Sequence, residues 1–143
     1  MFGPKNNKLG NSIERFDTII GQSLRVEGNL LVSQAIRVDG YVNGNIFQAD
    51  SETATVAVAE GAMVIGDVRA SHVIISGRLK GNIFSTARVE ILKTAEIEGD
   101  IIFGSVGIEV GARVTGKLSP IETTEQENAA VQLIAQTTQQ ITL

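Results

Sequence analysis

Apolar positions recur along the chain in short alternations, and six of them run into the same glycine-polar-apolar step. These are Val26-Glu27-Gly28-Asn29-Leu30, Val42-Asn43-Gly44-Asn45-Ile46, Val64-Ile65-Gly66-Asp67-Val68, Leu79-Lys80-Gly81-Asn82-Ile83, Ile97-Glu98-Gly99-Asp100-Ile101 and Val114-Thr115-Gly116-Lys117-Leu118. The glycines of these steps stand 16, 22, 15, 18 and 17 residues apart. Self-similarity at a near-constant period is produced by stacked units that share one continuous core.

Between successive steps lies a second apolar pair with one residue between: Ile36-Arg37-Val38, Val56-Ala57-Val58, Val73-Ile74-Ile75, Val89-Glu90-Ile91 and Ile108-Glu109-Val110, with Leu24-Arg25-Val26 as the opening copy. Alternation of this kind turns one face of a strand into a core. Each repeat therefore holds two or three strands, too short to pair back on themselves as hairpins, and Asp39-Gly40 is a candidate corner. The economical arrangement is an all-β parallel β-helix of about six coils, with like positions stacked about 4.8 Å apart. Its end coils expose unpaired strand edges and the apolar cross-section of the core, a template for another chain. Leu24 and Val26 near the first coil, and Ile102, Phe103, Ile108 and Val110 near the last, are the expected polymer contacts.

The residue after each glycine forms a column, Asn29, Asn45, Asp67, Asn82, Asp100 and Lys117. Asn and Asp tolerate corner conformations, so the column reads as turn chemistry rather than a ligand site. The one long spacing contains Ala49-Asp50-Ser51-Glu52-Thr53-Ala54, an acidic loop on the side of the rod.

Composition supports strands and corners. Glycine is frequent at 15 residues against 2 prolines, aromatics make up 4%, and cysteine is absent. Disulfides and thiolate metal sites are thereby excluded. No apolar run approaches the about 20 residues of a membrane-spanning helix, and the start of the chain lacks a secretory h-region, so a cytoplasmic location is expected. The formal net charge of -4 divides as +1 over residues 1–18, -2 over 19–118 and -3 over 119–143. Without a basic stripe, nucleic acid is not an expected partner.

Catalytic chemistry is sparse. A lone histidine, His72, beside Val73-Ile74-Ile75, can serve neither a histidine-rich zinc site nor a convincing triad, and reads as a corner residue. No serine sits in a Gly-x-Ser-x-Gly elbow, and Glu96 and Glu98 at spacing two read as solvated surface. Neither a Walker loop nor a dinucleotide fingerprint occurs, so no nucleotide and no cofactor is expected. The competing reading is a left-handed hexapeptide-repeat β-helix enzyme, an acyltransferase or gamma-type carbonic anhydrase. Ile20, Val26, Val32 and Val38 fall at spacing six, but the register breaks at Gly44 and catalytic histidines are missing.

The segments outside the repeats, 1–18 and 119–143, read as flexible tails around a polymerisation domain at 19–118. Phe2, Lys5 and Lys8 suit either a weak membrane contact or an inert tail. As a contact, each copy would be weak and an array strong through avidity.

Taken together, the Met1-Phe2 start with Lys5 and Lys8, the entry Asp17-Thr18-Ile19-Ile20-Gly21 and the serial Val-x-Gly-Asn-Ile steps resemble the bactofilins, polymer-forming cytoskeletal proteins of bacteria. The fullest example is Ile36-Arg37-Val38-Asp39-Gly40-Tyr41-Val42-Asn43-Gly44-Asn45-Ile46. The resemblance implies a right-handed, roughly triangular β-helix that polymerises end to end without nucleotide. It further implies an N-terminal contact with the inner face of the cytoplasmic membrane, a peripheral location there, and a non-enzymatic scaffold for cell-shape or envelope-synthesis proteins.

Overall fold

A computed structural model describes residues 16–50 and 52–121. Its strands wind into six coils of three short segments each. Coil 1 comprises β1 (Thr18–Ile20), β2 (Arg25–Glu27) and β3 (Leu30–Val32). Coil 2 comprises β4 (Ala35–Val38), β5 (Tyr41–Asn43) and β6 (Ile46–Gln48). Coil 3 is β7 (Thr55–Val58), β8 (Met63–Ile65) and the first half of β9 (Val68–Ile75), which bends round a corner into coil 4. Coil 4 continues with β10 (Arg78–Lys80) and the first half of β11 (Ile83–Ile91), and coil 5 with the rest of β11, β12 (Glu96–Glu98) and β13 (Ile101–Phe103). Coil 6 is β14 (Ser105–Ile108), β15 (Arg113–Thr115) and β16 (Leu118–Pro120).

Like segments stack in parallel to make three faces. The first, β2-β5-β8-β10-β12-β15, is a separate six-stranded sheet. The other two are joined into one sheet because β9 and β11 each run through a corner. On the second face lie β3, β6, the first halves of β9 and β11, β13 and β16. On the third lie β1, β4, β7, the second halves of β9 and β11, and β14. The fold is thus the expected parallel β-solenoid.

Registry along the first face follows the glycine steps: Val26 pairs with Val42, Val42 with Val64, Val64 with Leu79, Leu79 with Ile97 and Ile97 with Val114. The stack closes tightly at the glycine corner. At Gly99, where φ is 146°, an added Cβ would collide with the backbone oxygen of Gly81, so both conformation and space demand glycine. On the third face the expected alternation is displaced at both ends. Thr18-Ile19-Ile20, not Leu24-Arg25-Val26, opens the column by pairing with Ile36-Arg37-Val38. In coil 6 the residues opposite Val89-Glu90-Ile91 are Val106-Gly107-Ile108, two positions earlier than Ile108-Glu109-Val110. Gly107 disguises that strand; a Cβ there would meet the ends of the ion-paired Arg88 and Glu90 side chains, which are exposed and free to shift.

The core is a continuous column of Val, Ile, Leu and Ala from Ile20 to Ile101. Two serines are buried with it, and the hydroxyl of Ser85 donates to the backbone oxygen of Ser71 at 2.7 Å. The acidic loop does form between β6 and β7. Gln48 closes its base, its Oε1 accepting from the amides of Ala54 (2.9 Å) and Ser71 (2.8 Å) and from the Ser71 hydroxyl (3.0 Å). Extra length is therefore accommodated outside the stack, and coil 3 rejoins the registry set by coil 2. His72 lies one residue past that corner, within β9, exposed on the third face between Thr55 and Arg88.

Candidate functional site: the two open coil ends

Inward-facing residues of the inner coils are sealed by the coil above and the coil below, whereas among the described residues those of coils 1 and 6 have a neighbouring coil on one side only. In coil 6 this leaves Ile108 50% and Leu118 39% exposed although both point into the core column, stacked on Ile91 and Ile101. Val106 and Val114 beside them are half-buried. In coil 1, Val26 and Leu30 are half-buried, while Ile20 and Val32 are buried. Among the described residues the strand edges beyond β1, β2 and β3, and beyond β14, β15 and β16, carry no further strand. Among the described residues each end thus joins part of an apolar cross-section to a strand edge that no further strand covers, the two ingredients of strand-on-strand association.

The residues expected at a polymer contact distribute unevenly over this geometry. Val26 lies in the coil 1 cross-section. Leu24 is equivalent to Ala62 and Ala95, which make the same turn and are buried; in the end coil this corner carries a large, exposed side chain. Ile108 faces the open end of coil 6. Val110 is 97% exposed, but at the corner position of Lys93, beside the cross-section rather than in it. Ile102 and Phe103 belong to coil 5, one coil in from the end: Ile102 points outward, and Phe103 points inward opposite Pro120. Val106, Val114, Leu118 and Leu30 complete the ends and were not singled out from sequence. Their signal was the coil count itself, since inward residues of the first and last repeats have a described coil on one side only. Phe2, Lys5 and Lys8 lie outside the described residues.

The polar column is more than a set of turns. The Oδ1 of each Asn or Asp accepts the backbone amide of the next residue in the column: Asn29 from Asn45 (2.9 Å), Asn45 from Asp67 (2.8 Å), Asp67 from Asn82 (2.9 Å), Asn82 from Asp100 (2.9 Å) and Asp100 from Lys117 (3.0 Å). All five bonds run the same way, and the ladder ends at Lys117, whose ammonium has no lone pair to offer. The rod therefore has distinct ends.

Elsewhere the surface is organised by exposed ion pairs. Arg25 Nε donates to Glu27 at 2.6 Å, and the same guanidinium lies over the Tyr41 ring at 4.2 Å. The hydrogen bond from Arg25, helped by one from Asn43, lowers the Glu27 pKa, and its counterpart raises that of Arg25. Among the described residues no group of three or more His, Asp or Glu is placed to hold a metal ion, and no helix is long and apolar enough to cross a membrane.

The geometry defines a parallel β-solenoid whose first and last coils, among the described residues, carry no further strand. A family model described as "Bactofilin: Polymer-forming cytoskeletal" matches residues 18–119, the stretch that forms the six coils. Bactofilin BacO of Myxococcus xanthus (strain DK1622) is 29% identical over 103 residues, covering 71% of this chain and 78% of that protein. Bactofilin BacP of the same organism is 29% identical over 102 residues, covering 71% of this chain and 41% of that protein. No solved structure gives a significant match. The chain belongs to the bactofilin family and is a polymer-forming cytoskeletal protein.

Proposed function

We propose that the chain stacks end to end through coils 1 and 6 into filaments that form without nucleotide. The observation that carries this reading is the exposure of inward-pointing Ile108 and Leu118 at a coil that, among the described residues, no further strand covers. Burying such a cross-section and pairing its edges supplies the driving force, and no hydrolysis step is needed to assemble it. The filament acts as a cytoplasmic scaffold, peripheral at the inner face of the membrane through Phe2, Lys5 and Lys8, and gathers envelope or cell-shape proteins along its length.

The test is negative-stain microscopy and sedimentation of the purified chain without ATP or GTP, beside Leu118→Arg. Filaments from the wild type and their loss in a variant that keeps its β-sheet circular dichroism support the reading. Discrete small oligomers of the wild type at all salt concentrations overturn it. Removal of residues 2–10 tests the membrane contact separately: polymerisation should persist while liposome co-sedimentation falls, and equal pelleting would place the contact elsewhere.

A further inference from the structure

Along the third face Arg37, Ala57 and Ile74 look outward in register over coils 2, 3 and 4, while their strand neighbours fill the core. Ala57 is the shortest of the three and leaves a trough between the other two side chains, yet it is itself buried. The trough belongs to a groove of about 340 Å³ that continues past Leu92 of coil 5 to Glu109 of coil 6. At its other end stands half-buried Phe16, the first described residue, just ahead of β1. Asp17 fastens that entry, its Oδ1 accepting the amide of Ala35 at 3.3 Å.

We infer that residues 8–15 of the same chain lie in this groove, running on from Phe16 across coils 2 to 6. Phe16 sits at the level of the first coil, so the groove leads away from it in one direction only, over the rest of the rod. A segment joined to Phe16 is present at the groove at high effective concentration, and a weak contact is enough to seat it.

The lengths match. Coil 1 and coil 6 are about 24 Å apart at about 4.8 Å per coil. A polyproline-type extension has no internal hydrogen bonds and suits a segment that crosses strands; it advances about 3.1 Å per residue with three residues per turn. Ile13 then falls on the same side as Phe16 and about 9 Å on, over Ala57 of coil 3, with Gly10 bare on that side. Leu9 comes about 22 Å on, beside Leu92, and Lys8 about 25 Å on, beside Glu109. Charge agrees with this placement. Lys8 and Arg15 outnumber Glu14 in the segment, whereas Glu60 and Glu109 outnumber Lys93 at the groove, Arg37 being paired with Asp39 at 2.9 Å.

Seated in this way, the segment carries residues 1–7 from the coil 1 end, where β1 begins, to the coil 6 end of the third face. Pairing Lys8 with Glu109 leaves Phe2 and Lys5 for the membrane contact proposed above, which the seat neither requires nor forbids.

The chain has no cysteine, so defined pairs can be introduced into the full-length protein. Ile13→Cys with Ala57→Cys should form a disulfide within one protomer under mild oxidation. Ile13→Cys with Arg78→Cys, the latter on the first face, should not. Separately, Ile74→Glu should melt near the wild type, because Ile74 points outward, while trypsin should cut after Lys8 and Arg15 about tenfold faster. Equal linkage at the two positions, or unchanged cleavage in Ile74→Glu, overturns the inference. Linkage at Ala57 only between protomers would give the groove to a second copy, and protection of Lys8 and Arg15 only with phosphatidylglycerol vesicles would give the segment to a lipid surface. Either result overturns it as well.

Discussion

The backbone oxygen of Gly81 occupies the place that a Cβ on Gly99 would need. Because Gly99 also has a φ of 146°, Gly99→Ala should lower stability by about 1–3 kcal/mol from backbone strain alone, with the displaced carbonyl adding to it. Gly21 is the informative contrast. An added Cβ there meets nothing within 4 Å, and the equivalent atom on Gly40 in the next coil would strike the Gly21 oxygen, so the open space faces off the end of coil 1. Gly21→Ala should leave the melting temperature of the unassembled chain unchanged and weaken polymerisation, as read by thermal denaturation and sedimentation.

Charges placed at the two classes of apolar residue near coil 6 should separate assembly from folding. Ile108→Arg can turn its guanidinium into solvent at the open end, so a folded, β-rich, unpolymerised species is expected. Phe103→Arg should instead destabilise the chain by at least about 2 kcal/mol, because Phe103 packs inward against the core and opposite Pro120. Chemical denaturation beside sedimentation distinguishes them: equal stability of the two variants would contradict these placements.

Removing one rung of the side-chain ladder should be mild and specific. Asn82→Ala leaves the Asp100 amide to water at an exposed corner, for a loss of about 0.5–1.5 kcal/mol. Asp67→Asn keeps the accepting oxygen and should be near neutral. Amide hydrogen exchange should quicken at Asp100 in Asn82→Ala and remain slow at Asn82 in Asp67→Asn.

Glu27 should titrate below the usual carboxylate range of about 4.3, because Arg25 and Asn43 donate to its ionised form. With the native pKa depressed, the stabilisation is present above the unfolded-state value and is lost as pH falls through the native one. The pair is exposed, so added salt should shrink the effect. Carboxyl NMR titration of wild type and Arg25→Gln checks this, with the Glu27 midpoint expected to rise in the variant.

The stacking along the first face was legible because one corner demands a residue that few can replace, and the glycine spacings became the strand register without adjustment. The third face was harder. Its last strand carries Gly107 at the outward position, under the Arg88–Glu90 pair, so the alternation of Val106 and Ile108 was passed over in favour of Ile108 and Val110. The hydrogen-bonded role of Asn45 or Asn82 could not be read locally, since the partner amides lie 22 and 18 residues away. Ile102 was assigned to an end because inward and outward apolar residues look alike in sequence. Only the register, which sets Ile102 beside Phe84, turns it to the outside.

The seam closed by Gln48 makes the loop between β6 and β7 a natural port for a label. Its base is fastened to Ala54 and Ser71 before the chain re-enters the stack, so a reporter domain spliced beside Asp50 would hang from the rod without disturbing any coil. Asp50 also borders a groove on the second face, lined by Phe47 and Phe84. Such a tag would then stand over that face, and any partner that uses the groove would have to compete with the label.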